Sequence, residues 1–162
     1  MEYNIYNKQL ISRQVYLDNK YVSNNLNKNI EDKIKHEIEG ICITEGYIKP
    51  NSIKIVKISN GLLKSNLVCF SVIFECSIAL PIESQLIKCS VKSVTKVGLK
   101  CEVDDKDNIS PFIIFVARDH HYNNTEFNNI KTNDSIVVSV LGIRYELNDT
   151  KISIIAEFKQ KV

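Results

Sequence analysis

The chain has 162 residues, of which 44% are hydrophobic and 25% charged, and a formal net charge of +2. That balance excludes a disordered tail and a fibrous repeat, and the length suits two domains of roughly 80 residues each. No apolar run approaches the roughly 20 residues that a membrane helix requires, and Met1–Leu10 lacks the basic region and apolar stretch of a secretory signal, so a protein that stays where it is made, away from membranes, is expected.

Residues 3–17 mix Ile, Val and Tyr with polar residues and read as a first strand. The stretch Asn24-Asn25-Leu26-Asn27-Lys28-Asn29 then supplies helix N-caps, because the Asn side chain accepts from exposed helix N–H groups. Ile30, Ile34, Ile38 and Ile41 recur at helical spacing, Glu31 stands one turn before Lys35, and Gly40 occupies the place of a left-handed C-cap. Beyond Ile41 the period changes to two, with turns expected at Pro50-Asn51 and Asn60-Gly61 and three strands in all. The clearest of these is residues 67–79, where Val68, Phe70, Val72, Phe74, Cys76 and Ile78 share one face, to be covered by the isoleucine stripe of the helix.

Pro81 has no N–H to give a ladder and interrupts the pattern, so a domain boundary is expected there, with residues 1–80 before it and 81–162 after it. Ile87, Cys89, Val91 and Ser93 alternate with Lys88 and Lys92. After a turn ending at Gly98, Leu99, Cys101 and Val103 alternate with Lys100 and Glu102. Residues 112–117 are a near-continuous apolar run, a polar connection leads to Ser135–Leu147, and a last strand covers Lys151–Phe158. Five strands with one long connection after the third predict a Greek-key barrel of the OB type. The whole chain then reads as an α+β domain followed by an all-β OB-fold domain.

Cys42, Cys69, Cys76, Cys89 and Cys101 are odd in number, show no C-x-x-C spacing and lie among Val, Ile and Phe. They read as reduced core thiols, which fits a reducing compartment and argues against disulfides or a structural zinc. No Gly-rich phosphate loop, nucleophile elbow or metal-ligand spacing is present, so no catalytic residue, metal or cofactor is assigned. His120 and His121 are the one temptation: beside Asp119 they read either as the start of a metal site or as a polar pair closing the third barrel strand. Lys88, Lys92, Lys96 and Lys100 fall on the wet side of the first barrel hairpin, with Arg118, His120, His121 and Tyr122 after the third strand. In an OB barrel these are places where strand faces and loops meet single-stranded RNA; the other reading is a merely solvated lysine face. Residues 81–162 carry 11 basic and 11 acidic residues, which rules out a broad electrostatic attraction.

The order of these pieces resembles a known family, the stalk subunit of multisubunit DNA-dependent RNA polymerases, that is, the eukaryotic seventh subunit and its archaeal counterpart. The resemblance runs over nearly the whole chain and rests on Glu37-Ile38-Glu39-Gly40, Gly46-Tyr47-Ile48, the strand ending at Pro81, Val94-Thr95-Lys96-Val97-Gly98-Leu99, Ile113-Ile114-Phe115-Val116 and Ile152-Ser153-Ile154-Ile155-Ala156. It implies a truncated RNP-like tip domain followed by an S1-type OB-fold domain, with no catalytic activity of its own. It implies docking on the large subunits of the polymerase core through Asn60, Gly61, Leu62, Leu63 and Lys64, although strand-edge packing of the two leucines is an equal reading. A small helical stalk partner, weak contact with nascent single-stranded RNA, and a place inside the cell, in nucleus or cytoplasm, complete the expectation. The turn at Lys96-Val97 lacks the aromatic that many S1 domains present to a base. The AT-rich look of a chain dominated by Lys, Asn and Ile suggests a large DNA virus as source. The rival expectations are a stand-alone OB-fold RNA-binding adaptor and a small enzyme built on His120 and His121.

Overall fold

In the computed structural model, residues 3–22, 24–105 and 109–162 are described. In chain order the strands and helices are β1 (Asn7–Asp18), α1 (Leu26–Ile38), β2 (Cys42–Ile43), β3 (Gly46–Ile48), β4 (Lys54–Ile58), β5 (Leu62–Lys64), β6 (Leu67–Ala79), β7 (Leu86–Val94), β8 (Gly98–Glu102), β9 (Phe112–Ala117), α2 (Thr125–Asn128), β10 (Ser135–Arg144) and β11 (Ile152–Lys161). They form two compact units: Tyr6–Gly40 with Ile48–Ile78, and Ala79–Val162 with Ile41–Tyr47 and residues 3–5.

The first unit is a helix on an antiparallel sheet. β6 is its centre, pairing with β1 along its whole length and with β4 and β5 on the other side. The even-numbered face of β6 from Val68 to Ile78 is buried, as are Ile11, Val15 and Leu17 of β1, which stand on the same face by register. Ile30, Ile34 and Ile38 of α1 are buried too. Each such side chain taken from water contributes roughly 1.5–3 kcal/mol, so the stripe, rather than helix propensity, holds α1 in place. Gly40 has φ of +72° and follows the last turn, as its C-cap role requires. The N-terminus differs from expectation: Asn25 precedes the helix in the left-handed region at φ 67° and its side chain caps nothing, the Asn25 carbonyl instead accepting from the Asn29 N–H at 3.0 Å.

The strand pattern after the helix also differs, with five strands in place of three. Asn60-Gly61 is not a hairpin turn. β4 and β5 both run antiparallel to β6 in succession, so they are one edge strand interrupted at Asn60-Gly61. A side chain at Gly61 would place its Cβ 2.6 Å from Val68 Cγ1 and 2.9 Å from Phe70 Cε1, so the glycine lets the edge strand lie against these core side chains. The reversal itself comes at Ser65-Asn66, where Ser65 takes φ of +55°.

The second unit contains a closed five-stranded barrel in the order β10-β11-β9-β8-β7. All pairs are antiparallel except β9 with β11, which is parallel. That order, with strands one, two and three in succession, the third parallel to the fifth, and the fourth returning to the first, is compatible with an OB-fold. Inward residues alternate along each strand, including Ile87, Cys89, Val91, Leu99, Cys101, Ile114, Val116, Ile136, Val138, Ile154 and Ala156, all buried.

Ile41–Tyr47, expected within the first 80 residues, clusters with the barrel. The cause is hydrogen bonding. The Cys42 N–H donates to the Asp149 carbonyl at 2.7 Å and the Asn148 N–H donates to the Cys42 carbonyl at 2.9 Å, while β2 pairs with β3. Tyr145 Oη donates to the Thr44 carbonyl at 2.9 Å. Burial, followed by the nearby Asp149 charge, pushes the Cys42 thiol up to about 11, so it is held as a neutral packing group. All five cysteines are buried, and none is in a disulfide.

Candidate nucleic-acid surface and docking tip

At the tip of the first unit, Leu62 and Leu63 are 65% and 73% exposed. Successive strand residues face opposite ways, so joint exposure means that the edge strand is uncovered on both of its faces here, although Val68 and Leu17 behind Leu63 are buried. Leu62 stands opposite Cys69, which in turn stands opposite Tyr16; Leu63 stands opposite Val68 and, across it, Leu17. Leu67 adds another partly exposed apolar side chain, and the Lys64 Nζ lies 6.0 Å from the Tyr16 ring centroid. Beside it opens a cleft of about 500 Å³ lined by Tyr16, Leu17, Tyr21 and Leu67 with Asp18 and Asp32. Of the expected docking residues, Asn60 and Gly61 sit in the interruption of the edge strand and only Leu62, Leu63 and Lys64 lie on β5, next to the reversal.

The expected RNA-binding residues divide into three groups on the barrel. Lys96 is exposed in the turn between β7 and β8, and Arg118 binds that turn from the far side. The Arg118 Nη2 donates to the Thr95 carbonyl at 3.0 Å and its own N–H donates to the Val97 carbonyl at 3.0 Å, while its guanidinium lies 5.5 Å from the Phe127 centroid. Lys100 is exposed on β8. His120 and Tyr122 are exposed after Arg118, and the Tyr122 hydroxyl donates to Asp119 Oδ1 at 3.0 Å. That bond pushes the Tyr122 hydroxyl above its ordinary range.

Lys88 and Lys92 do not join them. Lys88 pairs across to Val137 of β10, on a different side of the barrel from β8–β9. Lys92 falls in the irregularity between Val91 and Ser93 and is held by Asp104 at 3.1 Å. His121 departs further from expectation, because it is only 6% exposed. Its Nδ1 lies 2.8 Å from the Ala117 carbonyl and its Nε2 accepts the Phe158 N–H at 3.1 Å, so both ring nitrogens are engaged inside the protein. Among the described residues, no group of three His, Cys, Asp or Glu side chains converges as a metal site.

One surface residue went unassigned in the sequence. Phe115 is 37% exposed on the outer face of β9, between Lys100 of β8 and Ile155 of β11 in register, and Ile155 is exposed as well. An aromatic beside a lysine on the face made by the second and third OB strands is the arrangement on which a base stacks while its phosphate meets the cation. Its signal was present in the alternation of residues 112–117: with Phe112, Ile114 and Val116 inward, Phe115 must point out. Gly98 serves the same surface. A Cβ there would lie 2.2 Å from the Val116 carbonyl oxygen and 3.0 Å from Phe115 Cζ, so only hydrogen lets β8 approach β9 and leaves room for the Phe115 ring.

Comparison with known proteins finds a relative. The DNA-directed RNA polymerase II subunit RPB7 of Glycine max is 24% identical over 135 residues, covering 79% of this chain and 73% of that protein. No family model matches the chain.

Proposed function

We propose that the chain is a non-catalytic stalk subunit of a DNA-directed RNA polymerase, with the first unit as a truncated RNP-like tip domain that docks on the core and the barrel as an S1-type domain that contacts emerging RNA. The observation that carries the reading is the match in order over most of the chain: a helix-on-sheet unit with an uncovered leucine tip, then a closed OB-type barrel, in a sequence similar to RPB7. Leu62 and Leu63 are the anchors, since isolated exposed leucines are ordinary but here two in succession project from opposite faces of one edge strand, with the partly exposed Leu67 on the Leu62 face. Lys96, Lys100, Phe115, Arg118, His120 and Tyr122 form the RNA-facing surface. The protein acts inside the cell, in nucleus or cytoplasm, as a partner of the large polymerase subunits.

The test is affinity purification of the full chain with identification of co-eluting proteins. The wild type brings down large polymerase subunits. Leu62→Asp with Leu63→Asp loses them while keeping the wild-type circular dichroism spectrum and thermal midpoint, because neither side chain is in the core. Retention of the subunits by a folded double variant would sink the docking assignment.

A further inference from the structure

His121 has an arrangement that only one of its protonation states satisfies. The carbonyl of Ala117, 2.8 Å from Nδ1, is an acceptor only, so Nδ1 must carry hydrogen. The Phe158 N–H, 3.1 Å from Nε2, is a donor only, so Nε2 must be bare. The ring is therefore the neutral Nδ1–H tautomer, fixed by its two backbone partners. It stacks on Phe127 of α2 at 4.6 Å between centroids, 15° from parallel, and meets the edge of Phe158 at 6.2 Å. Phe127 and Phe158 in turn meet at 5.7 Å. One imidazole thus joins the end of β9, the short helix α2 and the last strand β11, in the segment that presents Arg118, His120 and Tyr122 at the surface.

We infer that His121 is a positioning residue, a neutral latch that holds the Arg118–Tyr122 segment against β11, and that protonation releases it. A proton added to Nε2 turns an acceptor into a donor pointed at the Phe158 N–H, and the bond at that place is lost. The charged groups nearby are Asp119, His120 and Glu157, which line the open cleft beside His121, Glu126 on α2, and Arg118, whose guanidinium lies over Phe127. Glu157 is engaged by Lys159 at 3.0 Å and Glu126 Oε1 accepts the Lys161 N–H at 3.1 Å, so neither carboxylate is bonded to the imidazole to balance a new charge. The surface consequence, altered RNA contact, rests on the function proposed above; the latch itself does not.

The experiment follows the Phe158 amide in the full chain by hydrogen exchange, corrected for the intrinsic pH dependence of exchange, from about pH 7.5 to about pH 5, across the range in which imidazoles titrate. Wild type is expected to lose protection at Phe158 by about tenfold or more on acidification. His121→Gln, which keeps an acceptor and does not titrate, is expected to lose the acid step. His121→Phe, which keeps the stack but offers no acceptor, is expected to show low protection at every pH. An acid step of the same size in His121→Gln, or a Phe158 amide indifferent to pH in the wild type, would overturn the latch. Anisotropy of a fluorescent single-stranded RNA under the same conditions separates the two claims. Binding that weakens in acid in the wild type and not in His121→Gln supports the positioning role, and binding whose acid response is the same in both overturns it. Absence of RNA binding at any pH would count against the RNA surface alone, with the amide readout still deciding the latch.

Discussion

Phe115 and Gly98 carry the residue-scale consequences. If the outer face of β8 and β9 takes a base on Phe115, Phe115→Ala should weaken binding of single-stranded RNA by about 5-fold to about 100-fold, the reach of one stacked base. Because the ring is partly exposed and outside the barrel interior, thermal stability should change little, and titration by anisotropy beside a melting curve distinguishes the two effects. Gly98→Ala has the opposite profile. Its Cβ would fall 2.2 Å from the Val116 carbonyl oxygen, a backbone atom that yields only if β8 and β9 separate. A loss of about 3 kcal/mol in unfolding free energy by urea denaturation is expected, at the upper end of typical overpacking costs.

At the scale of elements, Asp134 shows how the connection before β10 is tied down. Its Oδ2 accepts the Lys161 Nζ at 2.8 Å and the Lys131 N–H at 2.8 Å, and its carbonyl accepts the Val91 N–H at 2.9 Å. The Lys161 bond, then the Lys131 bond, holds the carboxyl below the usual carboxylate range. A depressed carboxyl contributes stability that is present above the ordinary carboxylate range and lost as pH falls through the native value. Asp134→Asn should therefore be less stable than wild type near pH 7, with the gap closing toward about pH 3; thermal midpoints at the two pH values give the answer. How much of this level was legible follows from spacing. Alternation marked β6 and the barrel strands, because a half-buried strand must alternate, and the four-residue spacing of Ile30, Ile34 and Ile38 marked α1. Asn60-Gly61 misled because that dipeptide usually closes a hairpin, whereas here the glycine is chosen for the missing Cβ beside Val68 and Phe70. The true reversal uses Ser65 at positive φ, a residue without that signature. His121 was unreadable as a structural group, since its two partners are backbone atoms, one of them 37 residues away in the chain.

For the whole molecule, charge decides between a stalk subunit and a free-standing RNA adaptor. The barrel sequence is balanced at 11 basic and 11 acidic residues, and Lys92, Lys151, Lys159 and Lys161 are each held by a carboxylate at 2.7–3.1 Å. If Lys96, Lys100 and Arg118 are the cations that meet phosphates, the logarithm of affinity should fall with the logarithm of salt at a slope of about −2. A slope of about −4 or steeper, measured by anisotropy across a salt series, would favour the adaptor. The break at Pro81 suggested two units from the sequence, but the place of Ile41–Tyr47 could not be read there, because its ties run to Asn148 and Asp149, and nothing in local spacing announces a bond over that distance.

Those ties at Cys42 also bear on how the chain matures on the ribosome. A strand made early must wait, with its backbone groups open, until the stretch that will receive it has left the exit tunnel, so the second unit cannot finish folding on the strength of its own contiguous residues. Cutting the gene at the proline would yield a barrel with a raw seam where Asn148 and Asp149 had met their partner.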